Sequence, residues 1–322
     1  MKLLQEKIGE RATLTGYIHE KSEEMGNIEQ FPTVLVLPGG GMRICSDREA
    51  EPIAMAYYAE GYSAFVLDYT TTTKKPAAVM AEPMEEVESS MRWIREHADD
   101  YALDPKKIVL VGFSGGGHLA LATVTHGKEK PNAMILGYPG VVESKVRAIN
   151  CPDILENIDE TMPPMFLFVM RQDPITPPIH VLSLAQKLTE CGVDYELHLF
   201  KGKTHGASLG TAFTSDGEKA NLAPRYAQWL PMSISWLKET LGDFLIYGMD
   251  AAQAGHLHVD LSIGEIAESE KGLATLKGWI PGVEKTLQNS IACTMTLRKM
   301  GAYIPGFDDE KMQALNDALM QI

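Results

Sequence analysis

Residues 108–124 read IVLVGFSGGGHLALATV, a sequence that predicts a strand, a tight turn and a helix in succession. The apolar run Ile108–Val111 stops at Gly112, which is typical of a short strand buried on both faces. Residues 117–124 predict a helix, and the pattern G-x-S-x-G lies between the two elements. A tight turn at this point projects the Ser114 hydroxyl clear of the strand, and small flanking residues let the strand and helix approach closely.

Further strands and helices alternate on either side of this turn. Short apolar runs predict strands at Thr33–Leu37, Ala64–Leu67, Ala133–Leu136, Met165–Met170 and Tyr195–Phe200, and the weak alternation of Thr13–His19 predicts an edge strand. Helices are predicted at Asp47–Glu60, Pro83–Ala98, Gly117–Val124 and His180–Glu190. This alternation predicts an α/β fold with a mainly parallel central sheet and helices on both faces.

Three chemically useful side chains follow predicted strands. In parallel sheets the active groups lie in loops beyond the carboxyl ends of the strands. Ser114 follows Ile108–Val111, Asp173 follows Met165–Met170 and His205 follows Tyr195–Phe200. Serine, acid and histidine in this order are typical of the α/β-hydrolase fold, whose nucleophile lies on a G-x-S-x-G turn. We therefore predict Ser114 as nucleophile, Asp173 as acid and His205 as general base.

Plainer interpretations of these residues stay open. The serine turn is also compatible with a glycine-rich connection that carries an incidental serine, and Asp173, which precedes a proline, with a simple turn former. Among the nine histidines, His205 is favoured by its place after the last long strand, whereas His118 is expected to support the turn or line the pocket. His256 and His258 form an H-x-H pair with no third ligand nearby, so we predict neither a metal site nor a cofactor.

A second glycine cluster, PGGG at 38–41, follows the strand Thr33–Leu37. Attack on a carbonyl creates an oxyanion that needs preorganised donors, and glycine N–H groups reach a substrate without side-chain obstruction. We predict the N–H groups of Gly40, Gly41 and Gly115 as the oxyanion hole, with a plain turn as the alternative. The cluster lacks the G-K-[ST] of a phosphate-binding loop.

Composition limits the partners. The 322-residue chain is 45% apolar and carries a net charge of −14, so nucleic acid and anionic membranes would repel it. The N-terminal apolar run is too short for a signal peptide, and no segment has the apolar length of a membrane span. Four scattered cysteines make a disulfide framework improbable. We expect a cytoplasmic protein that acts on a small-molecule ester, with no nucleic-acid or membrane partner.

Several segments together resemble bacterial α/β-hydrolase esterases of the acetyl esterase and acetylxylan esterase type, near the feruloyl-esterase-like and hormone-sensitive-lipase-like branches. The resemblance spans about residues 10–242 and is carried by LPGGGM at 37–42, SDREAEPIA at 46–54, GFSGGGHLA at 112–120, GYPG at 137–140, RQDPITPP at 171–178, KTHG at 203–206 and AQWLPMSISWL at 227–237. It implies the same triad and the removal of acetyl groups from sugars or other small alcohols. Two segments depart from the family: Pro38 stands where many relatives have histidine, and Thr70–Thr73 replaces a run that often contains serine or arginine.

The chain is longer than this pattern, and we predict a catalytic domain at 1–245 and a helical C-terminal extension at 246–322. Helical patterns recur at Ile263–Glu268, Gly272–Trp279, Val283–Ala292, Leu297–Lys299 and Asp308–Ile322, with Asp308 as a helix N-cap. The apolar positions of the extension suggest either a homo-oligomer through the C-terminal helices, a role at the substrate mouth, or simple stabilisation. Gly140–Thr161 leaves room for a short cap, and a large lipase-like lid is not predicted.

The function predicted from these residues is a serine carboxylester hydrolase acting on short-chain acyl, in particular acetyl, esters of sugars or xylo-oligosaccharides. A serine peptidase of the prolyl-oligopeptidase type shares the turn and the triad order, but such enzymes usually carry a large N-terminal propeller or a long cap. A non-catalytic hydrolase-fold binding protein is the third interpretation, and the intact Ser114, Asp173 and His205 argue against it.

Overall fold

The computed structural model describes residues 1–76, 80–142, 153–244, 256–304 and 306–322. The chain divides into two compact units, Met1–Asp243 and Phe244–Ile322. The segment in which the sequence leaves room for a cap and the connector after the first unit both lie partly outside the described residues. Among the residues that the structure describes, no helix combines the length and the apolar character that a membrane-spanning segment needs.

The first unit is built on one eight-stranded sheet with the order β1-β2-β4-β3-β5-β6-β7-β8. The strands are β1 (Lys2–Ile8), β2 (Ala12–Ile18), β3 (Phe31–Leu37), β4 (Ser63–Asp68), β5 (Leu103–Phe113), β6 (Ala133–Gly137), β7 (Met165–Met170) and β8 (Tyr195–Phe200). β1 pairs with β2 and β2 with β4 in antiparallel fashion, and every pair from β4 to β8 is parallel. The prediction of a mainly parallel sheet is confirmed.

The central strands each contain a continuous apolar run because hydrophobic clusters cover both faces of the sheet. In β3, Leu35 and Leu37 pack into one cluster while Val34 and Val36 pack into the other, as the period of two in a strand requires. All six residues of β7 are buried. Burial on both faces explains why these strands lack the alternation of polar and apolar residues that marks β2.

Five α-helices in the described residues of the first unit form the layers on the two faces of the sheet. They are α1 (Glu51–Tyr58), α2 (Ala81–Glu96), α3 (Gly115–His126), α4 (Ile179–Cys191) and α5 (Trp229–Leu241). Val87 of α2, Leu119 of α3 and Leu184 of α4 pack into the first cluster. Tyr57 of α1 and Trp236 of α5 pack into the second, so the predicted placement of helices on both faces is confirmed.

The four predicted helices of the first unit start one to four residues away from their predicted positions, and the causes are clear for α1 and α3. The predicted helix Asp47–Glu60 is a 3₁₀ turn at Asp47–Glu49 followed by α1, which begins at Glu51 with a proline in its first turn. Proline lacks an N–H and fits the first turn, where that donor has no helical partner, so it marks the true start. α3 begins at Gly115, two residues before the predicted start at Gly117, because its first glycines pack against the sheet although glycine is a weak helix former.

The second unit is helical in its described residues, with a separate apolar core that includes Ile263, Leu276 and Leu315. Its helices are α6 (Ile263–Ala267), α7 (Glu270–Trp279), α8 (Val283–Leu287), α9 (Ser290–Thr294), α10 (Leu297–Gly301) and α11 (Asp309–Met320). The single helix predicted over Val283–Ala292 is wrong, because the Asn289 side chain accepts from two backbone N–H groups and starts a new helix, α9. The predicted Asp308 cap of α11 is confirmed.

Candidate active site

Ser114 lies on the turn between β5 and α3 with a φ of 49° and a ψ of −114°. A positive φ in a residue other than glycine stores strain that the surrounding packing must hold. That packing excludes side chains beside the serine. A Cβ on Gly116 would lie 2.1 Å from the Leu37 carbonyl oxygen, and one on Gly112 would lie 2.8 Å from the Gly116 carbonyl oxygen. The strand, turn and helix therefore lock the serine in place at the end of β5.

The structure brings Ser114, His205 and Asp173 together in one hydrogen-bonded chain. Ser114 Oγ is 2.8 Å from His205 Nε2, and His205 Nδ1 is 2.8 Å from Asp173 Oδ2 and 3.0 Å from Asp173 Oδ1. A carboxylate only accepts, so Nδ1 carries the proton of the neutral imidazole and Nε2 is left as the acceptor of the serine hydroxyl. This is the arrangement that lets a histidine take a proton from a serine.

Asp173 is held by its own loop. Its side chain is 1% exposed, and Oδ1 accepts from the backbone N–H groups of Ile175 at 2.8 Å and Thr176 at 2.9 Å. The Thr176 hydroxyl donates to the Tyr138 carbonyl oxygen at 3.0 Å and lies 3.1 Å from His205 Nδ1. The His205 side chain is 18% exposed. The Asp173 carboxylate is therefore shielded from water, whereas part of the His205 imidazole is exposed to water.

The loop at residues 38–42, which carries Gly40 and Gly41 and which we call the oxyanion loop, lies beside Ser114. Gly40 has a φ of 129° and Gly41 a φ of 60°, which explains two glycines in succession. A Cβ on Gly115 would lie 3.2 Å from the Gly41 nitrogen, so the loop rests against the first turn of α3. Within the described part of the chain, neither the Gly40 nor the Gly41 N–H donates to a protein acceptor. Gly115 opens α3, where N–H groups have no intrahelical partner.

The loop is anchored at both ends by the segment that follows β4. The Tyr69 hydroxyl donates to the Pro38 carbonyl oxygen at 2.6 Å. The Thr72 N–H donates to the Met42 carbonyl oxygen at 2.9 Å. The chain after β4 therefore holds the oxyanion loop at Pro38 and at Met42.

A solved structure resembles this chain over three quarters of its length. MGS-M1, an alpha/beta hydrolase enzyme from a Medee basin deep-sea metagenome library, is 37% identical and matches with a TM-score of 0.71, over 75% of this chain and 98% of that one. The chain belongs to the α/β-hydrolase family. The family model BD-FAE matches residues 22–149 of this α/β-hydrolase, which include β3, the oxyanion loop and Ser114.

Two further relatives of this α/β-hydrolase carry names that describe an activity. The chain is 28% identical over 205 residues to endo-1,4-beta-xylanase B of Butyrivibrio fibrisolvens. This match covers 55% of this chain and 32% of the xylanase. The chain thus matches about a third of the length of that relative. It is 26% identical to an acetyl ester-xyloside bifunctional hydrolase of Caldicellulosiruptor lactoaceticus, with a TM-score of 0.60, over 72% of this chain and 88% of that one.

His118, predicted to support the serine turn or line the pocket, is buried in this α/β-hydrolase. Its Nδ1 lies 2.9 Å from the Gly140 carbonyl oxygen, and the Gly140 N–H donates to the Ser114 carbonyl oxygen at 3.3 Å. Burial lowers the pKa of the His118 imidazole. Nδ1 is the donor in this hydrogen bond, because a carbonyl oxygen only accepts. The side chain therefore links the serine turn to the loop that follows β6.

Sequence reasoning missed Tyr138 and Thr176, which complete the surroundings of His205. The Tyr138 ring meets the His205 ring edge to face, with centroids 4.9 Å apart and planes at 67°. Tyr138 directly follows β6 and has a φ of 39°. The available signal was position alone, since a residue that follows a central parallel strand lies at the edge of the sheet where Ser114, Asp173 and His205 meet.

Proposed function

We propose that this protein is a serine carboxylesterase that hydrolyses short-chain acyl esters, with acetylated sugars such as xylo-oligosaccharides as its substrate class. The observation that carries the proposal is the continuous hydrogen-bonded chain from Ser114 through His205 to Asp173. The acetyl and sugar parts are supported by the likeness to the acetyl ester-xyloside bifunctional hydrolase.

The acylation step uses each of these side chains. Ser114 Oγ attacks the ester carbonyl carbon while its proton passes to His205 Nε2, and the Asp173 carboxylate stabilises the resulting imidazolium. The oxyanion that forms accepts hydrogen bonds from the N–H groups of the oxyanion loop and of Gly115. When the tetrahedral intermediate collapses, the alcohol departs with the proton from His205 and leaves the acyl group on Ser114.

Deacylation repeats the sequence with water. His205 Nε2 takes a proton from a water molecule, whose oxygen attacks the acyl-serine carbonyl carbon. Collapse of the second intermediate breaks the Ser114 ester, returns the proton to Oγ and releases the carboxylic acid. The strained turn at Ser114 keeps the serine oxygen in the same place for both steps.

A comparison of the wild-type protein with Ser114→Ala tests this function. The substrates are p-nitrophenyl esters with acyl chains of two to twelve carbons, followed by acetylated xylo-oligosaccharides with released acetate as the readout. Ser89→Ala is the matched control, because the Ser89 hydroxyl binds the exposed Glu85 carboxylate on α2. We expect the highest kcat/KM on the shortest chains and a loss of about 10⁴- to 10⁶-fold in kcat for Ser114→Ala alone.

Labelling by a fluorophosphonate gives a second readout that does not depend on the substrate. Wild type and Ser89→Ala should be labelled, and Ser114→Ala should not. If neither ester turnover nor labelling occurs in the wild-type protein, the esterase proposal is wrong and a non-catalytic binding function is favoured. Preference for acyl chains of eight carbons or more would contradict the short-chain assignment alone.

A further inference from the structure

A buried carboxylate that the proposed mechanism does not use lies behind the site. Glu49 is in the 3₁₀ turn Asp47–Glu49 and is 3% exposed. Its Oε2 accepts from the Gly39 N–H at 2.8 Å, and its Oε1 accepts from the Tyr138 hydroxyl. Burying a carboxylate is costly unless such donors satisfy it, so this residue needs a reason to be there.

The first contact reaches the oxyanion loop. A Cβ on Gly39 would lie 2.5 Å from Glu49 Oε2, 2.9 Å from the Phe113 carbonyl oxygen and 3.1 Å from Ser114 Cβ. The carboxylate, the oxyanion loop and the nucleophile are therefore packed against one another without space between them. Glu49 thus holds the peptide unit between Pro38 and Gly39, which directly precedes Gly40 and Gly41.

The second contact of Glu49 is with Tyr138, whose ring packs against the proposed general base, His205. Tyr138, whose hydroxyl donates to Glu49, presents its ring to the His205 imidazole. The same hydroxyl accepts from the Ser208 N–H at 3.3 Å, three residues beyond the histidine. A hydroxyl held from both sides fixes the tyrosine ring, and the ring limits the positions that the imidazole can take.

Arg48, the residue before Glu49, also binds the loop after β8 that carries His205, which we call the histidine loop. The Arg48 guanidinium donates to the carbonyl oxygens of Gly206 and Thr214, both at 3.0 Å. The Ser208 hydroxyl donates to the Arg48 carbonyl oxygen. One short turn thus holds the oxyanion loop through Glu49 and the loop of the general base through both residues.

We propose that Glu49 is a positioning residue that sets the oxyanion loop relative to His205 through its hydrogen bonds to Gly39 and Tyr138. The inference rests on the proposed esterase function, because both of the parts that it aligns act on the transition state. Loss of the alignment should lower kcat and leave KM nearly unchanged, since oxyanion stabilisation is realised in the transition state rather than in ground-state binding.

Glu49→Ala and Glu49→Gln test the proposal with p-nitrophenyl acetate. Glutamine keeps an oxygen for the Gly39 N–H, whereas alanine removes both acceptors. We expect Glu49→Ala to lower kcat by about 10- to 100-fold with KM within about threefold of wild type, and Glu49→Gln to recover most of the loss. Tyr57→Phe is the matched control, because it deletes a buried hydrogen bond, from Tyr57 to Ser233, away from the site.

Tyr138→Phe keeps the test decisive if Glu49→Ala does not fold, because it removes only the hydroxyl that binds Glu49. We expect a kcat about 3- to 10-fold below wild type with an unchanged KM. The proposal is overturned if Glu49→Ala or Tyr138→Phe keeps wild-type kcat, if alanine and glutamine at position 49 are equally impaired, or if Tyr57→Phe loses as much kcat as Glu49→Ala.

The rate of Ser114 labelling by a fluorophosphonate separates this inference from the proposed function. Attack on the phosphorus also develops charge on an oxygen beside the oxyanion loop, so the labelling rate should fall in the same order as kcat. If the wild-type protein is labelled but turns over no ester, the esterase proposal fails and the labelling rates still decide the role of Glu49. If the wild-type protein is not labelled, both proposals fail together.

Discussion

Replacing Asp173 by asparagine tests the proposed triad sharply, because the structure dictates how the new amide must be oriented. Asp173 Oδ1 accepts from the backbone N–H groups of Ile175 and Thr176 at 2.8 and 2.9 Å. An asparagine satisfies both donors only if its carbonyl oxygen takes the Oδ1 position. Its NH₂ group then occupies the Oδ2 position, which is 2.8 Å from His205 Nδ1.

This orientation reverses the histidine tautomer. The amide donates to Nδ1, so the proton of the neutral imidazole moves to Nε2, where it faces the Ser114 hydroxyl. An Nε2–H cannot accept the serine proton, and a triad with this defect loses about 10⁴-fold in kcat. At about 1.4 kcal/mol for each tenfold change, the expected loss is about 5.5 kcal/mol of transition-state stabilisation.

The assay is steady-state hydrolysis of p-nitrophenyl acetate, with the melting temperature measured in parallel. Asparagine has nearly the shape of aspartate and keeps both backbone hydrogen bonds, so we expect the variant to remain folded. Asp104→Asn is the matched control, because the half-buried Asp104 carboxylate likewise accepts from a backbone N–H, that of Lys106. A kcat of Asp173→Asn within tenfold of wild type would refute the tautomer argument and the role of Asp173 in it.

Three further predictions concern stability. Gly116→Ala should lower the free energy of unfolding in urea by about 1–3 kcal/mol, because the new Cβ meets the Leu37 carbonyl oxygen. Gly278→Ala should not lower it, because the space around Gly278 is open. Equal effects of the two substitutions would contradict this prediction. Burial raises the pKa of the Glu49 carboxyl above 4.5. The Glu49 carboxyl therefore takes up a proton on folding, and the wild-type protein should lose stability relative to Glu49→Gln as pH rises above about 4.5. Parallel pH profiles of the free energy of unfolding for the two proteins would contradict this prediction. Asp308→Ala should cost about 1 kcal/mol through the lost cap of α11, and an unchanged unfolding midpoint would exclude that.

The sheet was predictable because burial on both faces leaves a strong local signal. Met165–Met170 and Tyr195–Phe200 have the predicted bounds, and the other predicted parallel strands differ by a few residues at their ends. The helix boundaries were less accessible, because they depend on tertiary packing. The first turn of α3 is glycine-rich, and only its contact with the end of β3 makes a helix start there favourable.

The residues of the candidate site also differ in whether the sequence predicts them. Ser114, Asp173 and His205 follow strands and carry reactive groups, so position and chemistry pointed to them together. Glu49 lies in the run SDREAEPIA, in which charged residues suggest a solvated surface. Its burial results from contacts with Gly39 and Tyr138, which lie 10 and 89 residues away in sequence. No periodicity in the sequence carries that information.

The order of the strands explains why the histidine loop needs such an anchor. Ser114 follows β5 and His205 follows β8, and β6 and β7 lie between them. Three strand spacings amount to about 14 Å, yet the serine and histidine side chains are 2.8 Å apart. The loop after β8 therefore has to reach back across two strand ends. Past Gly202, whose carbonyl oxygen accepts from the Gln172 N–H, it needs hydrogen bonds from outside the sheet. Arg48 supplies one of them to the Gly206 carbonyl oxygen, 158 residues away in sequence, so in the proposed mechanism the placement of the base His205 beside Ser114 involves a turn that belongs to neither strand.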